Sequence, residues 1–391
     1  GPHLMDPKQF HRRLEVLLDR ASGPGGVKAF AERLMPALLE EFGPAFGISY
    51  AKLYRLREGS PSHVKSWGEH AHVEKTVTAL FRHAAHEGSL PELPWADRTP
   101  EGTLALLPLG GDGWMMALGF DGGGPEISAA SALAVASPIA HAAAEHLRRR
   151  ELEDLLEQAR AIQMSLLPPT PAFGDFDIAA VTLPASVVGG DVYDMQKLDA
   201  ETLAISVADA SGHGLPAALQ ARDVVTGLRM GAERDLKITR VIERLNRVIY
   251  QSGLTSRFVS LVFGELELNG TFAYINAGHP PPLLLTDAGL HELSVGGGLL
   301  GPQPDVLYKL GFAHVDRGAA LLLYTDGALE RGTTAGHAFG IERLGAWLTA
   351  WRDGPAREAL DDLVKRLRDH GDDAPFEDDI TLVFVRRPRQ A

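Results

Sequence analysis

The chain has 391 residues, a formal net charge of −13 and no cysteine. That length exceeds one ordinary core and suits two domains or three, while the acidic balance argues against a nucleic-acid binder, which needs a basic face for phosphates. The missing cysteines remove disulfides, thiolate nucleophiles, Cys-ligated zinc and thioether-linked chromophores, and no apolar run is long enough for a transmembrane helix.

Gly1-Pro2-His3-Leu4-Met5 reads as a cloning scar and is set aside. No signal peptide is seen after it, and together with the cysteine count this fits the expectation of a cytoplasmic protein with no membrane partner. From Asp6 to about Phe42 the pattern is helical. Phe10, Leu14, Leu17 and Leu18 share one face, Phe30, Leu34, Leu38 and Leu39 another, and Ser22-Gly23-Pro24-Gly25-Gly26 divides them. Ile48–Leu56, Leu104–Leu109 and Trp114–Phe120 read as strands, Val73–His86 as a helix, and Gly110-Gly111-Asp112-Gly113 as a hairpin turn. These elements make one small α+β module.

Glu126 to about Leu167 is rich in Ala, Leu, Glu and Arg, all good helix formers. Leu152, Leu155, Ala159, Ile162 and Leu166 alternate spacings of three and four, a coiled-coil-like seam, and Pro168-Pro169 ends it. This is either one more helix packed on its own domain or a signalling helix that joins two domains and pairs across a homodimer. The second reading is preferred.

From Phe176 to Val385, strands flank a helical middle. The strands are Ile178–Leu183, Thr202–Ala208, Phe258–Glu265, Thr271–Asn276, Pro282–Thr286, Ala320–Tyr324 and Thr381–Val385. One helix follows Gly214-Leu215-Pro216 with Ala218, Ala221, Val225 and Leu228 inward. A second carries Ile238, Val241, Ile242, Leu245, Val248 and Ile249, and later helices cover Ile341–Trp351 and Arg357–Arg368. Strand runs broken by a helix pair mean α+β with largely antiparallel sheets.

Aspartates in this zone sit beside glycines at strand ends: Gly189-Gly190-Asp191 with Asp194, Ala208-Asp209-Ala210, Thr325-Asp326-Gly327 with Glu330, and Asp378-Asp379 before Thr381. A lone Asp-Gly is usually a turn or a cap. Four such sites on strand edges point to a cation, because gathered carboxylates repel unless one lies among them. Oxygen ligands without cysteine select Mg²⁺ or Mn²⁺. Two such ions about 3.5–4 Å apart activate a water at neutral pH and offset phosphate charge.

These blocks resemble the SpoIIE/RsbU branch of the PPM-type, metal-dependent serine/threonine phosphatases. The match runs in order from Ala159-Arg160-Ala161-Ile162-Gln163 with Leu166-Leu167-Pro168, through Gly189-Gly190-Asp191-Val192-Tyr193-Asp194 and Val207-Ala208-Asp209-Ala210-Ser211-Gly212-His213-Gly214. It continues through Asn276-Ala277-Gly278-His279-Pro280 and Tyr324-Thr325-Asp326-Gly327 with Glu330, then Phe339-Gly340 and Asp378-Asp379-Ile380-Thr381. The resemblance implies a β-sandwich flanked by helices over 171–388, with two ions, Mn²⁺ or Mg²⁺, at one edge. It implies that Asp209 bridges both ions, that the Ala210 carbonyl and Asp191 hold one, and that Asp326 and Asp378 hold the other. Glu330 and Asp379 stand behind them or help a third, weaker ion, with Asp194 nearby through water.

The catalytic set so implied is Asp209, Asp326 and Asp378, with His213 either a general acid for the leaving oxygen or a loop residue shaping the turn. His279 is expected to brace the strand and loop. Arg222 and Arg257 are the nearest candidates for a phosphate-gripping arginine, and the helix pair at 215–250 occupies the place of this branch's regulatory switch. The implied substrate is a phosphoserine or phosphothreonine on a partner protein, an anti-sigma-factor antagonist of the STAS type. A phosphatase fold without metals and a two-metal hydrolase of small phosphate esters are the alternatives.

Phosphatases of this branch commonly carry a sensor, and the layout of 6–125 resembles a GAF domain, with a PAS-like fold as runner-up and 126–170 as helical linker. Its input would be a small-molecule ligand or a protein. Trp67, Trp95, Trp114, His63, His70 and His72 are candidates to line a pocket there.

Overall fold

The computed structural model describes residues 6–68, 72–86, 91–120, 127–231, 237–252 and 258–389. The five scar residues, Glu126, His70 and Arg257 therefore lie outside the described residues, as does the expected sensor boundary at 125. The chain forms two compact units, Gly1–Asp154 and Leu155–Ala391.

The first unit opens with helices α1 (Pro7–Ala21) and α2 (Gly26–Phe46). Strands β1 (Ile48–Arg57) and β2 (Ser60–Gly68), helix α3 (Glu74–His86), and strands β3 (Trp95–Thr99), β4 (Gly102–Pro108) and β5 (Trp114–Phe120) follow. The strands form one antiparallel sheet in the order β2-β1-β5-β4-β3. β1, β4 and β5 are the three apolar runs. β2 and β3 escape a reading by hydrophobicity because they are edge strands whose residues are mostly exposed or half-buried. On one face Leu14, Leu34, Leu38, Ala51, Leu53, Leu107 and Met116 build a core, and α3 closes the other face over Tyr50, Tyr54, Leu104 and Leu106.

Helix α4 (Ala129–Leu166) is continuous through Pro138. Its first half is core: Ala132, Ala136, Ile139, Ala140 and Ala143 are buried in the first unit. Its second half changes character. Leu152, Leu155 and Ile162 of the expected seam are 60%, 55% and 60% exposed, which leaves a stripe open to a partner.

The second unit is a sandwich between helices. Its elements are β6 (Asp177–Leu183), β7 (Asp191–Lys197), β8 (Thr202–Ala210), α5 (Leu215–Gly231), α6 (Ile238–Gln251), β9 (Val259–Glu267) and β10 (Thr271–Ala277). Then come β11 (Leu283–Thr286), β12 (Gly289–Glu292), β13 (Gly296–Gly297), β14 (Gly311–His314) and β15 (Ala320–Tyr324). Helices α7 (Asp326–Glu330), α8 (Gly340–Trp351) and α9 (Ala356–His370) precede the last strand, β16 (Ile380–Arg386). One sheet runs β13-β10-β9-β8-β7 with β14 also on β10, and the other runs β12-β11-β15-β16-β6. Among the described strands only the β10–β13 pair is parallel.

Leu203, Ile205 and Val207 of β8 meet Leu321, Leu323, Val383 and Val385 between the sheets, while Ala204 and Ala208 face α5 and α6. Leu322, Tyr324, Leu382 and Phe384 pack outward under α8 and α9. Central strands buried on both faces therefore read as continuous apolar runs. Val248, expected inside α6, is instead 60% exposed, because it falls on the outer side of the helix while Leu245 and Ile249 face inward. β7 has no apolar run: its residues are Asp191, Val192, Tyr193, Asp194, Met195, Gln196 and Lys197. It is held instead by its antiparallel register with β8.

Candidate metal centre

The sandwich brings four distant segments to one edge. In the β7–β8 register Asp191 stands directly opposite Asp209. Asp326 begins α7 just beyond the end of β15, and Asp378-Asp379 precede β16, which pairs with β15.

Asp191 is buried, and Thr325 Oγ1 donates to its Oδ2 at 2.6 Å. Burial above all, then the neighbouring Asp209, pushes Asp191 well above the usual carboxylate range. Asp209 is pushed up to about 7, first by burial, then by Asp326, Asp378 and Asp379, and it hydrogen-bonds to Asp191. Burial, Asp378 and Glu330 raise Asp326.

The backbone around them is shaped to match. Ala210 N donates to the Gly190 carbonyl at 3.1 Å, and a Cβ on Gly190 would overlap the Ala210 carbonyl oxygen. Asp379 is occupied otherwise: its two oxygens accept from Ala185 N at 2.8 Å and Gly190 N at 2.6 Å. It pins the loop before Asp191, and Gly189 has no room for a Cβ beside that carboxylate. Glu330 is exposed one helical turn from Asp326, and Asp378 is exposed at the rim.

Among the described residues no three Asp, Glu or His side chains stand close enough together, as placed, to hold a metal ion. The donor set still fits hard divalent ions. It offers only oxygens, gathers carboxylates that raise one another, and has Asp378 and Glu330 exposed at its rim, as suits ions that keep several waters and few protein ligands.

Other expected residues fall elsewhere. His213 is exposed between Gly212 and Gly214, with no hydrogen-bond partner among the described residues. His279 is a brace. Its Nε2–H donates to the Tyr324 carbonyl at 3.0 Å, Nδ1 pairs with Ser260 Oγ at 2.7 Å, and burial holds the imidazole down to about 4. Asp194 points to α5, where Arg229 grips both its oxygens at 2.7 and 3.1 Å. Arg222 on α5 is exposed.

In the first unit Trp67 and Trp114 pack on the α1/α2 face and Trp95 on the α3 face. They do not line one pocket. A cavity of about 1020 Å³ there is lined by Leu107, Pro108, Ser137, His141 and Arg148 among others, and by none of the aromatic or histidine candidates.

Sequence reasoning gave no role to Thr325, Gln163 or Arg229. Their signals were a hydroxyl next to a metal-type aspartate and two long polar side chains on otherwise ordinary helices.

Residues 199–388 match the family model described as Stage II sporulation protein E (SpoIIE). The chain is 29% identical over 245 residues to phosphoserine phosphatase RsbU of Bacillus subtilis, covering 61% of this chain and 72% of RsbU. It is 31% identical over 262 residues to protein IcfG of Synechocystis, covering 59% of this chain and 41% of IcfG. The SiaA-PP2C domain of Pseudomonas aeruginosa superimposes with a TM-score of 0.54 at 23% identity, over 61% of this chain and 98% of that domain, a likeness of fold. No described helix is long and apolar enough to cross a membrane.

Proposed function

Since the chain carries a SpoIIE-type domain and belongs to the PPM serine/threonine phosphatases, we propose that its acidic edge binds two Mn²⁺ or Mg²⁺ ions and hydrolyses phosphoserine or phosphothreonine on a partner protein. The observation that carries this reading is the facing pair Asp191 and Asp209, with Asp326 and Asp378 close enough to raise Asp209. Asp209 would serve both ions, Asp191 and the Ala210 carbonyl one, and Asp326 and Asp378 the other, with Glu330 and Asp379 behind or at a weaker third position. Bound there, the ions would supply an activated water and offset charge on the phosphoryl oxygens.

The chain's own residues set the geometry. Thr325 fixes the Asp191 carboxylate, Asp379 fixes the loop that delivers it, and the β7–β8 register fixes Asp209. His213, on a solvent-facing loop, is the candidate to protonate the leaving oxygen. RsbU is named a phosphoserine phosphatase. By that likeness the substrate class is a phosphorylated anti-sigma-factor antagonist of the STAS type in the cytoplasm. The first unit, a five-stranded antiparallel sheet with helices on both faces and a closing helix that continues onward, suits a GAF-like sensor that regulates the phosphatase through a dimeric linker.

The test is hydrolysis of an aryl phosphate and a phosphoserine peptide with added Mn²⁺ by the native chain, Asp209→Asn and Asp326→Asn. Metal-dependent turnover by the native chain and a loss of two orders of magnitude or more in both variants is expected. Equal rates in all three would overturn the assignment.

A further inference from the structure

The end of α4 is fastened to the loop that delivers Asp191. Gln163 Nε2 donates to the Gly189 carbonyl at 2.6 Å, and Gly189 N donates back to Gln163 Oε1 at 3.2 Å. A side-chain amide pairing both backbone groups of one residue fixes its position and its peptide orientation together. Gly189 is the residue that most needs this. It is a glycine packed against the Asp379 carboxylate, and without a Cβ it has the widest conformational freedom of any residue.

From there the chain of contacts is short. Gly190, next along, donates to Asp379 Oδ2 and accepts from Ala210 N. Its Cα lies close enough to the Ala210 carbonyl to exclude a side chain. Asp191 follows immediately. One amide on α4 thus holds the strap that sets both the Asp191 carboxylate and the Ala210 carbonyl.

Three residues on, the carbonyl of Leu166 accepts from Arg229 Nη2 at 2.8 Å, and the same guanidinium holds Asp194. This second tie holds the last turn of α4 near β7 while Ile162 and Met164 stay exposed. Gln163 is half-buried on the turned-in side.

We infer that Gln163 is a positioning residue for the metal centre, holding Gly189 so that Asp191 and the Ala210 carbonyl present a preformed ion site. This rests on the two-ion reading above. Partners that orient metal ligands commonly change metal affinity by about 10–100-fold when removed, whereas two part-exposed hydrogen bonds account for little of the stability of a unit this size.

The test uses the full chain as the native protein and as Gln163→Met, which keeps the length of the side chain and removes both hydrogen bonds. Ser165→Ala is the control, since the Ser165 hydroxyl bonds only to Ile162 within the helix. Free Mn²⁺ is titrated by electron paramagnetic resonance, and thermal melting is recorded without metal. The expected result is a tenfold or larger loss of Mn²⁺ affinity in Gln163→Met, with melting close to native and Ser165→Ala unchanged in both. Mn²⁺ affinity within twofold of native in Gln163→Met would overturn the inference alone. A native chain that binds no Mn²⁺ would overturn the two-ion reading and the inference with it. A fall in Mn²⁺ affinity matched by Ser165→Ala would show a general softness of the helix end and sink the specific role of Gln163.

Discussion

Thr325 and Asp191 join the two sheets of the sandwich at its acidic edge. Thr325 follows β15 and Asp191 opens β7, yet the threonine hydroxyl donates to the carboxylate at 2.6 Å. The same oxygen accepts from Thr381 N at 2.9 Å, so β15, β16 and β7 meet at one hydroxyl. Thr325 is wholly buried, and nothing but protein can replace what it gives.

Replacing Thr325 by Val keeps the shape and removes the hydroxyl. Asp191 then loses its 2.6 Å donor and Thr381 N its acceptor, both in the interior. A buried polar group left unpaired costs about 1–3 kcal/mol. Urea unfolding should show a loss of that size for Thr325→Val, together with weaker Mn²⁺ dependence of any phosphatase activity. Thr325→Ser should recover most of both. An unchanged midpoint in the valine variant would show that the hydroxyl is not needed.

Asp209 should behave in the opposite direction. It lies among four other carboxylates, those of Asp191, Asp326, Asp378 and Asp379, so its charge strains the metal-free fold. Asp209→Asn removes that repulsion. Metal-free melting should rise by a few degrees, in keeping with about 1 kcal/mol, while the stabilisation that added Mn²⁺ gives the native chain should vanish. Differential scanning calorimetry with and without Mn²⁺ reads both. A variant that melts lower than native without metal would mean the carboxylate is a structural acceptor.

Much of this site was legible because aspartates at the ends of apolar strands have a fixed address. Leu203–Ala208 and Leu321–Tyr324 could be read as strands from hydrophobicity alone, and their terminal carboxylates came with them. β7 could not be read so, because its polar residues break the apolar run and its Asp and Tyr side chains satisfy partners that belong to other segments. Arg229 answers Asp194, and the backbone opposite belongs to β8. The role of Gln163 was hidden for the same reason: its meaning lies in Gly189, 26 residues away and reached only after folding. Asp379, which the resemblance set behind the ligands or at a third, weaker ion, gives its two oxygens to backbone N–H groups of Ala185 and Gly190, partners that its neighbour Asp378 does not announce.

His279 gives a pH dependence with a definite sign. Burial holds its folded value down to about 4, against 6.5 for a free imidazole. The unfolded chain therefore takes up the proton first as pH falls. The contribution to stability is complete above about 6.5 and is lost progressively down to about 4, by about 3 kcal/mol at the acid end. Asp191 and Asp209, with raised values, work the other way, so the informative quantity is a difference between variants. His279→Gln should be less stable than native at pH 7.5, and the gap measured by urea unfolding should narrow by about 2 kcal/mol or more at pH 4.5. A gap that stays constant with pH would mean that His279 is not the neutral, doubly bonded imidazole seen here.

The outer stripe of α4 carries the last prediction. Leu152, Leu155, Ile162 and Met164 are 60%, 55%, 60% and 44% exposed. Leu152, Leu155 and Ile162, together with Ala159 and Leu166, alternate spacings of three and four, which a helix presents to another helix rather than to water. The flanking charges are mixed, with Arg149, Glu153, Glu157 and Arg160 forming pairs along the same helix, and such a pattern does not repel a second copy. Two copies of this helix packed side by side would cover the stripe. Sedimentation of the full chain at tens of micromolar, an ordinary range for modest interfaces, should show a dimer that Leu155→Glu with Ile162→Glu converts to monomer. The same pair of changes should leave Mn²⁺ binding intact, because neither residue contributes to the clasp on Gly189. A native chain that is monomeric throughout that range would remove the dimer, and with it the case for a signal passing along a paired helix.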